Sequence, residues 1–266
     1  MGEPSPNSED DPLCGVFNWI DERFGPIRRL SASRLGSPEP EWWVYTCDLA
    51  RAPAGTWYTP YPAGAAGTSI EPGEALQRVL GEAVERYSAL DAAVNGFPLA
   101  PLESPLIHRF PLCAPEEPCL PSFRGLDPDL PITHVRVRRL ATDDEVVVPA
   151  AHVHLSFQPG PNEPLPAPPI SSGLAFHPVL HEAIWNGLCE VAERDAIMVM
   201  WWNRRSVRAI DLADTSVPDA LISRLERLDR AGLATHLFDI TTDFRLPTVF
   251  CLLQAESPPY WTAGAA

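Results

Sequence analysis

The sequence has no lysine. Its 20 basic residues are all arginine, which excludes a Walker-type phosphate lysine and a Schiff-base lysine. Whatever handles phosphate here must use arginine, backbone N–H groups or a metal. Basic charge is scarce altogether, and against 35 Asp and Glu it leaves a formal net charge of −15. Such a surface repels phosphate backbones and anionic headgroups, so neither nucleic acid nor a membrane is expected as a partner. Long apolar runs are missing too. The longest, AIMVMWW (196–202) and VFCLL (249–253), fall far short of the ~20 residues that span a bilayer. The opening MGEPSPNSEDDP lacks the pattern of a signal peptide, so residues 1–12 read as a flexible acidic tail and the chain as cytoplasmic. No Cys-x-x-Cys pair occurs among the six cysteines, which read as reduced and scattered. Cys113 and Cys119 flank a Pro- and Glu-rich loop where they could pair or bind a metal.

What is present suits a folded domain. The 266 residues are 45% apolar with 8 tryptophans, enough for a substantial core. Proline is in excess, with 31 residues concentrated in loops at 97–131 and 159–169, and nothing in the sequence assigns it a function. WWVYTCDLA (42–50) alternates and is rich in aromatic and β-branched residues, which predicts a strand. YPAGAAGTS (61–69) reads as a loop leading into a helix from about Pro72 to Leu90, with Ala75, Leu76, Val79, Leu80, Ala83, Val84 and Tyr87 on one stripe. HVRVRRL (134–140) and EVVVPAAHVHLSF (145–157) are predicted to pair across a turn at Thr142–Asp144. A long helix from about Pro178 to Trp202 follows, then a helix from about Pro218 to Ala231 ended by Gly232, then strands at 234–241 and 248–253. The mixture predicts an α/β or mixed α+β fold without internal repeats.

Two helices carry carboxylates at helical spacing. In the long one, Glu182, Glu190 and Glu193 fall within roughly 80° of one another, and Asn186 and Cys189 share that face. The rest of its circumference is apolar, which predicts a helix buried over most of its girth, with Trp201 and Trp202 in the core. No Lys or Arg is expected at i+4 on the same face to neutralise the acidic strip, and Arg194 is read separately as a buried partner of Asp195. The first helix has Glu82 and Glu85, with Arg86 placed for a surface pair with Glu82. A solvated acidic face is the plain reading. Clustered hard oxygens without a cation point instead to Mg²⁺, which rarely has an all-protein cage and would arrive with substrate phosphates. The small-residue loop Ser171–Ala175 before the long helix lets backbone approach such a ligand closely. His152-x-His154 on a predicted strand and His177-x-x-x-His181 at a helix start have spacings that zinc accepts, which makes zinc the rival metal.

GEALQRVLGEAVERYSA (73–89) and ISSGLAFHPVLHEAIWNGLCEVAERDA (170–196) resemble the two signature segments of the YcaO family. The first has Glu82-x-x-Glu85-Arg86 where the family has Ser-x-x-x-Glu-x-x-Glu-Arg. The second has Ser171-Ser172-Gly173-x-Ala175, then Glu182-Ala183, then Glu190-x-x-Glu193-Arg194-Asp195. DITTDFRLPTVFCLL (239–253) is similar to the strand–turn–strand that follows, so the resemblance covers most of the chain after residue 13.

The resemblance implies a YcaO-like fold with nucleotide bound between the acidic helices and a sheet, as a single domain over residues 13–266. It implies an ATP- and Mg²⁺-dependent enzyme that activates a peptide backbone amide, most familiarly a cyclodehydratase that turns Cys, Ser or Thr of a ribosomally made precursor peptide into azolines. Thioamide and amidine formation are other outcomes in the family. The side-chain thiol or hydroxyl adds to the preceding carbonyl, the resulting oxygen takes the γ-phosphoryl of ATP, and phosphate leaves; positioning and charge neutralisation supply most of the catalysis. By position, Glu82, Glu85, Glu190 and Glu193 would be the Mg²⁺ carboxylates, and Arg86, Ser172, Gly173 and Ala175 would lie along the nucleotide. No residue is singled out as an acid, base or nucleophile. The implied partners are the precursor peptide, a separate leader-peptide-recognition protein and a second copy in a homodimer. Departures are clear: the family's first-helix Ser is Arg78, its Gly-Lys-Gly is Gly67-Thr68-Ser69, and the Gly of Ala-x-Gly is His177. Family members also continue past the last strand into a helix bearing Gln-x-x-x-Arg. The resemblance therefore implies a truncated or split enzyme, with a non-catalytic remnant that binds peptide or a partner as the alternative.

Overall fold

The alternation of WWVYTCDLA becomes the middle strand of a small antiparallel sheet. The computed structural model describes residues 14–36, 41–50, 64–90, 99–100, 131–155, 157, 159–161, 163, 169–212, 217–256 and 259–266. After a single turn of helix, α1 (Cys14–Phe17), the strands β1 (Ile27–Arg34), β2 (Trp43–Leu49) and β3 (Gly64–Ser69) form a sheet in the order β1-β2-β3. Expectation and structure part at β3, where a loop was expected. Gly and Ala are poor strand formers by propensity, but here they let a helix lie directly on the strand. A Cβ on Gly67 would come within 2.2 Å of the Ala75 carbonyl oxygen and 2.4 Å of the Val79 nitrogen.

That helix is α2 (Pro72–Leu90), and it has the expected bounds. Ala75, Val79, Leu80 and Ala83 of the expected stripe are buried, and the last three join Ile27, Cys47, Leu49 and Ala65 of the sheet and Val16 in the main core. A second sheet, β4 (Leu99–Ala100), β5 (Ile132–Arg138) and β6 (Glu145–Pro149), is also antiparallel, with Arg138 facing Glu145 at the expected turn. Its second long strand is shorter than expected. After Pro149 the chain turns into a 3₁₀ helix at Ala150–His152, so His152 and His154 do not share a strand face. Val135, Val148, Ala150, Ala151 and Phe157 make a second core cluster there.

The C-terminal part pairs β7 (Arg208–Ala209), β8 (Leu233–Asp239), β9 (Val249–Glu256) and β10 (Pro259–Ala265) in the order β10-β9-β8-β7. All the paired strands are antiparallel, which gives the mixed fold its α+β character. In chain order α3 (Leu180–Trp202) follows the second sheet, α4 (Asp219–Arg230) precedes β8, and Gly232 ends α4 at φ +75°.

The helix α3 is not buried as its composition predicts. Only Gly187 and Ala196 are buried along it. Trp185, Leu188, Val191 and Met198 are about half exposed, and Trp201 and Trp202 are 64% and 78% exposed rather than in the core. No described helix is long and apolar enough to cross a membrane. Cys47, Cys189 and Cys251 are free thiols. Cys113, Cys119, the tail 1–12 and most of the two proline-rich loops lie outside the described residues.

Candidate functional site

Because α2 buries one stripe on the sheet, its opposite stripe is presented away from the core. Glu74, Gln77, Arg78, Gly81, Glu82 and Glu85 recur at helical spacing and form one wall of a cavity of about 530 Å³. Phe176, His177 and Pro178, just before α3, line it with them. Phe176 ties the two walls together: it packs against the main core, and a Cβ on Gly81 would lie 3.5 Å from its Cδ1.

The two helices carry the same device. On α2, Glu82 Oε1 accepts from Arg86 Nη2 at 2.6 Å, and Oε2 accepts from the backbone N–H of Ala66 on β3 at 2.8 Å. On α3, Glu190 Oε1 accepts from Arg194 at 2.9 Å (Nε) and 2.8 Å (Nη2), and Oε2 accepts from the backbone N–H of Gly173 at 3.1 Å. In each case the first Glu of Glu-x-x-Glu-Arg is held by the arginine one turn later and by a backbone amide 16 or 17 residues earlier. This corrects two expectations: the α3 strip does have a neutralising cation, and Arg194 pairs with Glu190 rather than with Asp195.

The second Glu of each device is different. Glu85 and Glu193 accept no hydrogen bond from the described residues. Burial, then the charges of Glu190 and Glu82, push Glu85 up to about 7 against the pull of Arg86. Burial raises Glu193 as well, with Glu190 adding to it and Arg194 opposing. Glu190 acting on both groups brings the carboxylates of the two helices into one electrostatic site. Glu182 stands apart, 3.4 Å from His181.

The loop before α3 owes its small residues to packing. A Cβ on Gly187 would come within 2.7 Å of the Gly173 carbonyl oxygen and 3.7 Å of Ala175 Cβ, so loop and helix meet backbone to backbone. Gly173 has φ +87°, a conformation glycine adopts without strain. Of the expected nucleotide-contacting residues, Ser172, Gly173 and Ala175 therefore stand on this loop beside Glu190, and Arg86 lies beside Glu82. The hydrogen-bond pattern uses Gly173 N–H for Glu190 itself. Glu74 and Gln77 were not among the expected site residues, and His177 was expected only as a zinc ligand; the 74, 78, 81, 85 spacing along α2 is the signal that finds Glu74.

The donor set fits Mg²⁺. It consists of hard carboxylate oxygens, and Glu82 and Glu190 keep lone pairs beyond their hydrogen bonds. Among the described residues no three His, Cys, Asp or Glu converge as a ready-made cage. A divalent ion bound here would therefore complete its shell with other oxygens, such as those of phosphate. The histidine alternative does not assemble: His177 Nδ1 accepts from Val179 N–H at 3.1 Å, and His181 faces Glu182.

These features define a protein with the same acidic device on two helices and, beside the one on α2, a cavity of about 530 Å³. The profile of YcaO cyclodehydratase, ATP- and Mg²⁺-binding, matches residues 66–266, and the chain belongs to that family. It is similar to a heterocyclase in complex with substrate and cofactor (TM-score 0.75, 20% identity, covering 96% of this chain and 36% of that one). It is also similar to YcaO from Methanopyrus kandleri bound with AMPPCP and Mg²⁺ (TM-score 0.62, 19% identity, 96% and 62%). A third likeness is to the E. coli microcin synthetase McbBCD complex with pro-MccB17 bound (TM-score 0.59, 18% identity, 89% and 58%). At these identities the likenesses bear on the fold alone, and the fold is that of the YcaO heterocyclases. An uncharacterized protein of Methanothermobacter thermautotrophicus is 32% identical over 135 residues, 51% of this chain and 34% of that protein. The chain thus spans about a third of the length of the first of these structures and of this relative.

Proposed function

We propose that this chain takes part in the ATP- and Mg²⁺-dependent activation of a peptide backbone amide, as a cyclodehydratase that converts Cys, Ser or Thr of a ribosomally made precursor peptide to azolines. The observation that carries this reading is the paired Glu-x-x-Glu-Arg device, whose second carboxylates accept no hydrogen bond from the described residues and in which Glu190 of α3 acts on Glu85 of α2. Membership of the family supports the reaction type. The heterocyclase and microcin synthetase folds support a precursor peptide as substrate and a separate leader-recognition protein as partner, acting in the cytoplasm.

In this reading Glu82, Glu85, Glu190 and Glu193 would hold two Mg²⁺ ions between them, with phosphate oxygens completing each shell. Mg²⁺, when bound, supplies neutralisation of the phosphate charge that builds up during phosphoryl transfer. Arg86 and Arg194 fix the first carboxylate of each pair, so the constellation is set before the ligand enters. Ser172, Gly173, Ala175 and Arg86 line the path of the nucleotide. The Gly173–Glu190 bond locks the loop to the helix that carries half of the metal site.

The test is phosphate release from ATP by the purified chain with a pool of Cys-, Ser- and Thr-containing peptides, with and without a leader-recognition partner, together with mass spectrometry of the peptides. Loss of one water mass per ring, coupled to phosphate release, is the expected result. Phosphate release without any loss of water would contradict azoline formation and redirect the reading to another amide modification.

A further inference from the structure

The two residues at which the signature segments depart most plainly from the family pattern, Arg78 and His177, line the same cavity from opposite walls. Arg78 is the one arginine among the lining residues, and the wall it shares is otherwise acidic, with Glu74, Glu82 and Glu85. Its present contacts are weak and exposed. Nη1 donates to the Thr68 carbonyl at 2.9 Å, Nη2 lies 3.4 Å from Glu74, and the side chain is 52% exposed. Glu74 does not depend on it, because the Ser69 hydroxyl also donates to that carboxylate. Releasing the guanidinium to a ligand would therefore cost little, as for exposed ion pairs generally.

On the other wall, the tautomer of His177 follows from its hydrogen bond. Nδ1 accepts from Val179 N–H, so in the neutral ring the proton sits on Nε2, which leaves this lining residue with a donor to offer. Arg78 lies one helical turn before Glu82 and two before Glu85, on their face of α2. A phosphate chain held through a metal at those carboxylates comes within reach of a long guanidinium on that face.

We infer that Arg78 and His177 form an anion clamp for the phosphate chain of the nucleotide, donating from opposite walls of the cavity. The clamp rests on the proposed nucleotide reaction and adds to it a contact made by this chain's own residues, in a sequence that has no lysine to offer.

The test is calorimetric titration of the full chain with Mg·AMPPCP and, separately, with adenosine, for the wild type, Arg78→Ser, Arg78→Lys and His177→Ala, with circular dichroism melts to establish that each variant is folded. Arg78→Ser is expected to weaken Mg·AMPPCP about tenfold and His177→Ala about threefold, while adenosine binding is unchanged. Arg78→Lys should restore part of the loss, and the wild type should lose affinity with added salt more steeply than Arg78→Ser. Wild-type affinity for Mg·AMPPCP in both Arg78→Ser and His177→Ala overturns the clamp and leaves the proposed function standing. An equal loss of adenosine binding also overturns it, by moving the contact to the nucleoside. A wild type that does not bind Mg·AMPPCP overturns both readings.

Discussion

Helices α2 and α3 carry the same five-residue device and stand in opposite relations to the rest of the protein. Over its 19 residues α2 buries Ala75, Val79, Leu80, Ala83 and Ala89. Over its 23 residues α3 buries only Gly187 and Ala196, although its composition is the more apolar of the two. Yet Glu82–Arg86 and Glu190–Arg194 have nearly the same geometry, each with a backbone amide clamped from upstream. The local device is thus set by helical spacing and one close-packed segment, independently of how much core its helix rests on. The half of the site on α2 is held by the core; the half on α3 is held by the Gly173–Gly187 contact and by Phe176.

Four substitutions sharpen or break this comparison. The largest effect is expected in α2. Leu80→Ala removes a fully buried side chain and should cost about 3 kcal/mol in denaturant unfolding. A loss below ~1 kcal/mol would mean that α2 is not the anchored helix.

The next is electrostatic. Glu85 is raised from 4.5 to about 7, so between those values the folded state binds more protons than the unfolded one. Stability should therefore fall as pH rises through that window, and the raised Glu193 adds in the same direction. Glu85→Gln should remove most of the slope and be more stable than wild type at pH 8, by on the order of 2 kcal/mol, with little difference at pH 4. Parallel pH profiles for the two proteins would place Glu85 outside the carboxylate cluster.

Gly187→Ala acts at the α3 contact, where the new Cβ would meet the Gly173 carbonyl oxygen at 2.7 Å. Global stability should drop by only about 1 kcal/mol, while nucleotide binding, measured calorimetrically, should weaken more than that drop accounts for. The smallest effect is expected from Leu188→Ala, on a side chain 48% exposed, with a change within ~0.5 kcal/mol. A cost like that of Leu80→Ala would show that α3 is covered in solution.

Much of this was legible from sequence because it depends on local periodicity. The bounds of α2, the end of α4 at Gly232 and the turn between β5 and β6 follow from stripe spacing, a C-terminal glycine and turn residues. The strand β3 was not legible, because GAAGTS is written for closeness to α2 rather than for strand propensity. The exposure of α3 was hidden for a different reason: a helical wheel reports polarity, not what lies opposite.

The misassigned Arg194 has a simple cause. Residues i and i+1 point about 100° apart on a helix, whereas i and i+4 are neighbours on its surface, so Glu190 meets the guanidinium and Asp195 does not. At the site, helical spacing offered the acidic strips, and the resemblance to the family's signature segments picked Glu82, Glu85, Glu190 and Glu193 from them. That His177 meets the Glu74 and Gln77 side of α2 required the fold, since only there do Phe176 and Gly81 bring the loop against the helix.

The central claim is that the carboxylates of α2 and α3 together hold a metal-bound nucleotide. Calorimetric titration with AMPPCP, with and without Mg²⁺, on wild type, Glu85→Gln and Glu190→Gln tests it most directly. Binding that requires Mg²⁺ and is lost in both variants, one on each helix, is the predicted result. Binding that is indifferent to Mg²⁺, or that survives in both variants, would contradict the claim.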